Sequence, residues 1–168
     1  MRPSRNKIIV LGLDPGIKNI GFGVVALHGN NIKCVSYGKL SIEGNRGKGL
    51  YKLQKNIKKL IKKFSPTHFA IEQVFFGKNI RSAMAVSEVR GAIISLLGGQ
   101  NQNIFDMSPQ WIKRYISGYG RADKKAVVKM VCMLLSIQEK RIPPDASDAL
   151  AVAIAGALEA QKLSRIAY

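Results

Sequence analysis

The run from Lys7 to Leu13, KIIVLGL, constrains the fold more than any other segment. From Ile8 onward it is apolar at every position. A strand that alternates polar and apolar residues can lie in a sheet with one wet face, but a continuously apolar strand has to be covered on both faces. The chain therefore needs a sheet with helices on each side of it. With 168 residues, 46% of them apolar, it has material for one such core and no room for a second large one.

The rest of the sequence supplies the elements. Asp14-Pro-Gly16 stops the first strand, and residues 21–27 and 32–37 flank His28-Gly-Asn-Asn31, a turn suited to antiparallel strands. Between residues 50 and 64 the apolar positions Leu50, Leu53, Ile57, Leu60, Ile61 and Phe64 recur at helical spacing, with lysines between them. A fourth strand is expected over Thr67 to Ile71, ending at Glu72, and a helix over Lys78 to Leu97, stopped by Gly98-Gly99. A fifth strand follows at Asn103 to Asp106, and Ser108-Pro109 opens a helix over 110–116. Two more helices are expected over 123–137 and, after Pro143-Pro144, from Asp145 to about Lys162. The order βββαβαβααα fits a three-layer α/β domain with a mixed five-stranded sheet flanked by helices. Residues 1–6 read as a basic extension and 163–168 as a tail.

Lysine and arginine outnumber the acids by 27 to 10, a net charge of +17. That field attracts polyanions, nucleic acid foremost. No segment reads as a signal peptide or a membrane span, and Cys34 and Cys132, far apart and with no CxxC, read as reduced core thiols, so the expected setting is the cytoplasm with no membrane partner. No GxxxxGK[ST] loop is present, which argues against an ATPase.

In so basic a chain the few acids are informative. Asp14 ends the first strand, Glu72 ends the fourth, and Asp145 and Asp148 open the apolar last helix. A carboxylate at the edge of a core is costly unless it is hydrogen-bonded, paired or bound to a cation. Spacing of three puts Asp145 and Asp148 on one helix face. If the first and fourth strands are neighbours, four hard oxygen donors meet at one sheet end, a set suited to Mg²⁺ or Mn²⁺ and to phosphodiester cleavage by two metal ions. Each acid also has a structural reading: a turn at Asp14-Pro-Gly, a strand end at Glu72, a helix cap and dipole pair at Asp145 and Asp148. Glu43, Glu88, Glu139 and Glu159 are expected in solvent, and Asp106 and Asp123 at helix starts.

LGLDPG at 11–16, GFGVV at 21–25, FAIEQVFFGKN at 69–79, GYGRADKKAVVKMV at 118–131 and PPDASDALAVAIA at 143–155 resemble the RuvC family of Holliday junction resolvases. LDPG alone is shared with actin-like ATPases, whereas IEQVF followed by DxxDALA at this spacing is specific. The resemblance covers nearly the whole chain and implies an RNase H-like fold. It also implies that Asp14, Glu72, Asp145 and Asp148 are catalytic ligands of two Mg²⁺ ions, with Mn²⁺ as a substitute. The implied substrate is four-way junction DNA, nicked symmetrically by a homodimer that receives it from a branch-migration helicase complex of the RuvA and RuvB type. Phe75 matches an aromatic that stacks on opened bases, with Phe76 beside it as the natural core residue, and Lys78, Lys113 and Lys124 match basic residues that hold phosphates. The helix over 78–97, with its stripe Ala83, Val86, Ala92 and Ile93, is the candidate dimer surface. Two rivals remain at this stage, a YqgF-type nuclease and a protein that grips branched DNA without cutting. Glu72-Gln73 and the Asp145–Asp148 pair favour the RuvC reading over the first.

Overall fold

The computed structural model describes residues 7–74 and 79–166. Strands β1 (Ile8–Asp14), β2 (Asn19–His28) and β3 (Asn31–Ser41) form the antiparallel meander expected of them. Helix α1 (Arg46–Phe64) leads to β4 (His68–Glu72), helix α2 (Ile80–Gly98) to β5 (Asn103–Met107), and helices α3 (Pro109–Ser117), α4 (Lys124–Leu135) and α5 (Pro144–Ile166) complete the chain. Sheet order is β3-β2-β1-β4-β5, with β1, β4 and β5 parallel. It is a mixed five-stranded sheet with helices on both faces, as the opening run requires.

Alternation along the strands assigns the two faces. Leu11 and Leu13 of β1, with Phe69 and Ile71 of β4, pack against Leu53 and Ile57 of α1 and Val89, Ile93 and Leu97 of α2. Ile8, Val10 and Ala70 point the other way, into a second core built on α5 with contributions from α3 and α4. Asp14 and Glu72 have the parity of this second set, so both carboxylates face α5.

Where glycines stand on that face, the packing partners are backbones. A Cβ on Gly12 would lie 2.5 Å from the Ala153 nitrogen, one on Gly21 2.0 Å from the Asp145 carbonyl oxygen, and one on Gly23 2.8 Å from the Leu150 Cα. Glycine is required at these strand positions because α5 lies directly on the sheet. The small residues Ala149, Ala153 and Gly156 complete the fit from the helix side.

Several boundaries differ from expectation. Strand β3 continues through Gly38 to Ser41, because the Phe22 ring lies over Gly38, where a Cβ would be 2.8 Å from it. Helix α1 begins at Arg46 rather than Leu50: Asn45 caps it, and Gly49 packs against Ile42 and the Glu43 backbone, hiding a helical turn behind glycine. Residues 163–166 continue α5 and are not a tail. Asp106 starts no helix; it sits in β5 and pairs with Arg90, while Ser108 caps α3 and Asp123 caps α4 as expected. Glu43, Glu88 and Glu139 are exposed as expected, the first two in surface pairs with Lys52 and Arg46, whereas Glu159 is half-buried and accepts from the Tyr115 hydroxyl. The stripe on α2 is corrected in part, Val86 and Ala92 being half-buried at the surface. Ala83 and Ile93 are buried in the core, whereas Ile80 and Met84, each 64% exposed, mark the helix face that is open.

Candidate active site

The register of β1 on β4 pairs Leu13 with Ile71, so Asp14 and Glu72 leave the sheet as neighbours at its carboxyl end. Asp14 itself pairs with Gly21 of β2, the glycine whose missing Cβ admits the Asp145 carbonyl. The first turn of α5 is thereby set down beside β1, and Asp145 and Asp148 come with it. Four acids from three elements are brought to the same end of the sheet, near enough for the charges of Glu72, Asp148 and Asp145 to act on Asp14.

Their electrostatics are those of a cluster. Burial, then the charge and hydrogen bond of Glu72, then the charges of Asp148 and Asp145, push the Asp14 carboxyl up from 3.8 to about 8. Burial also pushes Glu72 upward, against the pull of its hydrogen bond with Asp14 and of the Lys124 and Lys113 ammonium groups. Burial and the acidic neighbours together favour the protonated Asp14 carboxyl near neutral pH. Lys124 Nζ donates to Asp148 Oδ2 at 2.6 Å, and this bond holds the Lys124 ammonium above its ordinary 10.5.

Lys124 and Lys125 occupy the first turn of α4, which carries no acid. Positive charge at a helix N-terminus opposes the macrodipole, and a local rule broken in this way marks a position held for function. Asp123 caps the turn by accepting from the Ala126 N–H at 2.7 Å and so fixes where Lys124 starts. Lys113, half-buried on α3, approaches Glu72 from the other flank. Both lysines singled out from the sequence thus border the carboxylates. Phe75, Phe76 and Lys78 lie outside the described residues.

Arg90 was not evident from the sequence. Its Nε donates to the Glu72 carbonyl at 3.2 Å and its Nη2 to Asp106 Oδ1, which anchors the end of β4 that presents Glu72. An arginine between the core residues Val89 and Ile93 of α2, matched to a lone acid in a strand, was the available signal. Beside Asp14 and Glu72 opens a cleft of about 570 Å³, bordered by Gln73, Asn79, Val86 and Pro109.

The donor set is hard oxygen throughout and fits Mg²⁺ or Mn²⁺ better than a softer metal. Among the described residues no three carboxylate, His or Cys side chains are drawn together as a ready metal shell. The Asp14 carboxyl is held high beside Glu72, and Asp148 is bound by Lys124, so the donors lie at one sheet end but are individually engaged.

A mixed sheet of this order, with carboxylates gathered where its central parallel strands end against a sheet-packed helix, defines an RNase H-like protein. Residues 10–156 match the family of the crossover junction endodeoxyribonuclease RuvC, and the chain belongs to that family of endodeoxyribonucleases. It is 38% identical over 163 residues to the RuvC of Caldanaerobacter subterraneus subsp. tengcongensis, covering 95% of this chain and 98% of that one. The RuvC of Thermosipho melanesiensis is 38% identical over 152 residues, 89% of this chain and 97% of that one. Among solved structures, Thermus thermophilus RuvC in complex with a Holliday junction substrate superposes with a TM-score of 0.86 at 26% identity, covering 94% of this chain and 97% of that one. The yeast mitochondrial Holliday junction resolvase shares the fold, with a TM-score of 0.70 at 15% identity and coverage of 98% and 85%. No helix among the described residues is long and apolar enough to cross a membrane.

Proposed function

We propose that this chain resolves four-way DNA junctions by paired symmetric nicks, in the cytoplasm, using two divalent metal ions, Mg²⁺ by preference and Mn²⁺ as substitute. The observation that carries this reading is the convergence of four carboxylates at one end of the sheet in a chain of net charge +17, with the Asp14 carboxyl pushed up to about 8 by its burial first and by its acidic neighbours second. So strained a cluster has no use in the fold itself and suits a cation site.

Asp14, Glu72, Asp145 and Asp148 would hold the ions. When bound, such ions supply Lewis acidity to the scissile phosphate and lower the pKa of a water poised to attack it. Metal loading would require the Asp14 carboxyl to release its proton, which would tie activity to pH. Lys113 and Lys124 flank the donors and offer charge to the phosphate, with Lys124 exchanging Asp148 for the substrate. Phe75 and Lys78 are proposed to meet DNA from the segment between β4 and α2. A four-way junction has two-fold symmetry, which a homodimer matches, and the open face of α2 at Ile80 and Met84 supplies an apolar surface for pairing. Delivery by a branch-migration helicase of the RuvA and RuvB type belongs to the same proposal.

A synthetic four-way junction incubated with the chain should be nicked in opposed strands with Mg²⁺ and left whole in EDTA, while its linear arms remain uncut. Tight junction binding with no cutting at any Mg²⁺ or Mn²⁺ concentration would leave only a binding protein.

A further inference from the structure

Helix α3 carries Lys113 toward Glu72, yet most of its exposed surface lies on the other side of the helix. There two adjoining depressions, of about 610 and 360 Å³, share Trp111, Arg114 and Gly118. The first extends to Tyr119 and Arg121, the second to Tyr115 and Lys162. Trp111 is 48% exposed and Tyr119 60%, large apolar areas left in water.

The patch is ordered rather than incidental. The Arg114 guanidinium sits 5.5 Å from the Trp111 ring centroid, and the Tyr115 ring lies 5.9 Å away on the same side of the helix. Gly118, at φ 71°, ends α3 with its N–H on the Arg114 carbonyl and turns the chain so that Tyr119 stands next to Trp111. Among the described residues, no carboxylate borders either depression. The nearest acid in the hydrogen-bond network, Glu159, is engaged by the Tyr115 hydroxyl.

Exposed aromatic faces set among arginine and lysine, with no acid between them, match a nucleic-acid strand: bases stack on the rings and phosphates pair with the cations. Trp, Tyr and Arg also favour protein partners, but continuity with the carboxylates decides for DNA. The element that presents Trp111 also presents Lys113 at Glu72. The loop through Tyr119 and Arg121 leads directly to Lys124 at Asp148. A strand leaving the carboxylate cluster between these lysines is delivered to the patch by the same two helices.

We propose that Trp111, Arg114, Tyr119, Arg121 and Lys162 form a second DNA-binding surface that holds an arm of the substrate outside the carboxylate cluster. The proposal rests on the junction-cutting function argued above and adds to it where an arm lies. Its ligand is the phosphodiester chain, reached either as duplex or as an unpaired strand.

Trp111 is the single tryptophan of the chain, so its emission reports on the patch without any substitution. The full chain in EDTA is mixed with a labelled four-way junction, a linear duplex, a single strand or polyglutamate. Binding is followed by anisotropy of the label and exposure of Trp111 by acrylamide quenching. Bound junction should lower the quenching of Trp111. Shielding by single strand alone assigns the rings to unpaired bases, and shielding by duplex as well assigns the surface to the backbone. The Arg114→Ala/Arg121→Ala variant should bind junction about tenfold more weakly, with a salt slope shallower by about two. Junction that binds while Trp111 stays fully open, or shielding by polyglutamate and not by DNA, overturns the proposal. Mg²⁺ cleavage in parallel separates the two readings: cutting with an open Trp111 sinks only this surface, and a shielded Trp111 without cutting sinks only the nuclease.

Discussion

The two faces of the sheet are built on opposite plans. Toward α1 and α2 the contact is made by bulky side chains, Leu11, Leu13, Phe69 and Ile71 against Leu53, Ile57 and Ile93, all at 1% exposure or less. Toward α5, Val10, Val25 and Leu27 still contribute side chains, but at Gly12, Gly21 and Gly23 helix and strand backbones touch. The bulky face removes apolar area from water, about 25 cal/mol per Å² buried. The glycine face gives up part of that gain and obtains proximity: only a helix lying on β1 and β2 can set Asp145 and Asp148 beside Asp14. One face stabilises the fold, and the other places charge where the fold alone would not.

Substitutions on the two faces should therefore separate cutting from stability. The largest effect on cutting is expected for Asp148→Asn, which keeps shape and removes one charge of the cluster. Junction cleavage with Mg²⁺ should fall by about a thousandfold or more, the scale of losing a preorganised electrostatic partner, while melting in EDTA stays level or rises and junction affinity holds. A pure helix-dipole role for Asp148 predicts the reverse, a loss of up to about 1 kcal/mol in stability with cutting spared.

Gly21→Ala comes next. Its Cβ, built 2.0 Å from the Asp145 oxygen, has to displace the first turn of α5. A shift near 1 Å at reacting groups costs on the order of a hundredfold in rate, and overpacking costs about 1–3 kcal/mol in stability. Single-turnover cleavage and urea melts of one preparation measure both. Wild-type cutting by this variant would show that α5 need not lie on the sheet.

Leu53→Ala on the opposite face should change cutting least. Leu53 is fully buried, and its truncation should cost about 2–5 kcal/mol of stability. Below the lowered melting temperature, cleavage should stay within a few-fold of wild type, because α1 anchors none of the four carboxylates Asp14, Glu72, Asp145 and Asp148. A hundredfold loss of cutting at a temperature where the variant is folded would erase the distinction between the faces.

The bulky face was legible in the sequence and the glycine face was not. The unbroken run Ile8 to Leu13 called for cover on both sides, and helical spacing in α1 identified its inward residues. Acids ending such segments pointed to Asp14, Glu72, Asp145 and Asp148, which the fold then brings together. Glycines at 12, 21 and 23 read locally as weak points in strands; only α5, more than 120 residues further along, gives them their purpose. Arg90 and Asp106 were missed for the same reason, since their pairing exists only after α2 is laid beside β5. The small-residue stripe of α2 looked like an outer surface because periodicity gives a face without saying which way it turns. Ile93 turns inward.

The most direct measurement of the central claim, that the glycine face holds four repelling carboxylates together, is stability in EDTA as a function of pH for the wild type and Asp14→Asn. The folded chain keeps the Asp14 proton up to about pH 8, whereas the unfolded chain releases it near 3.8. The native state therefore binds more protons throughout that window, and stability without metal should fall as pH rises through it. Asp14→Asn should flatten the curve and exceed the wild type toward pH 8. Parallel curves for the two proteins, with the wild type the more stable throughout, would contradict the account.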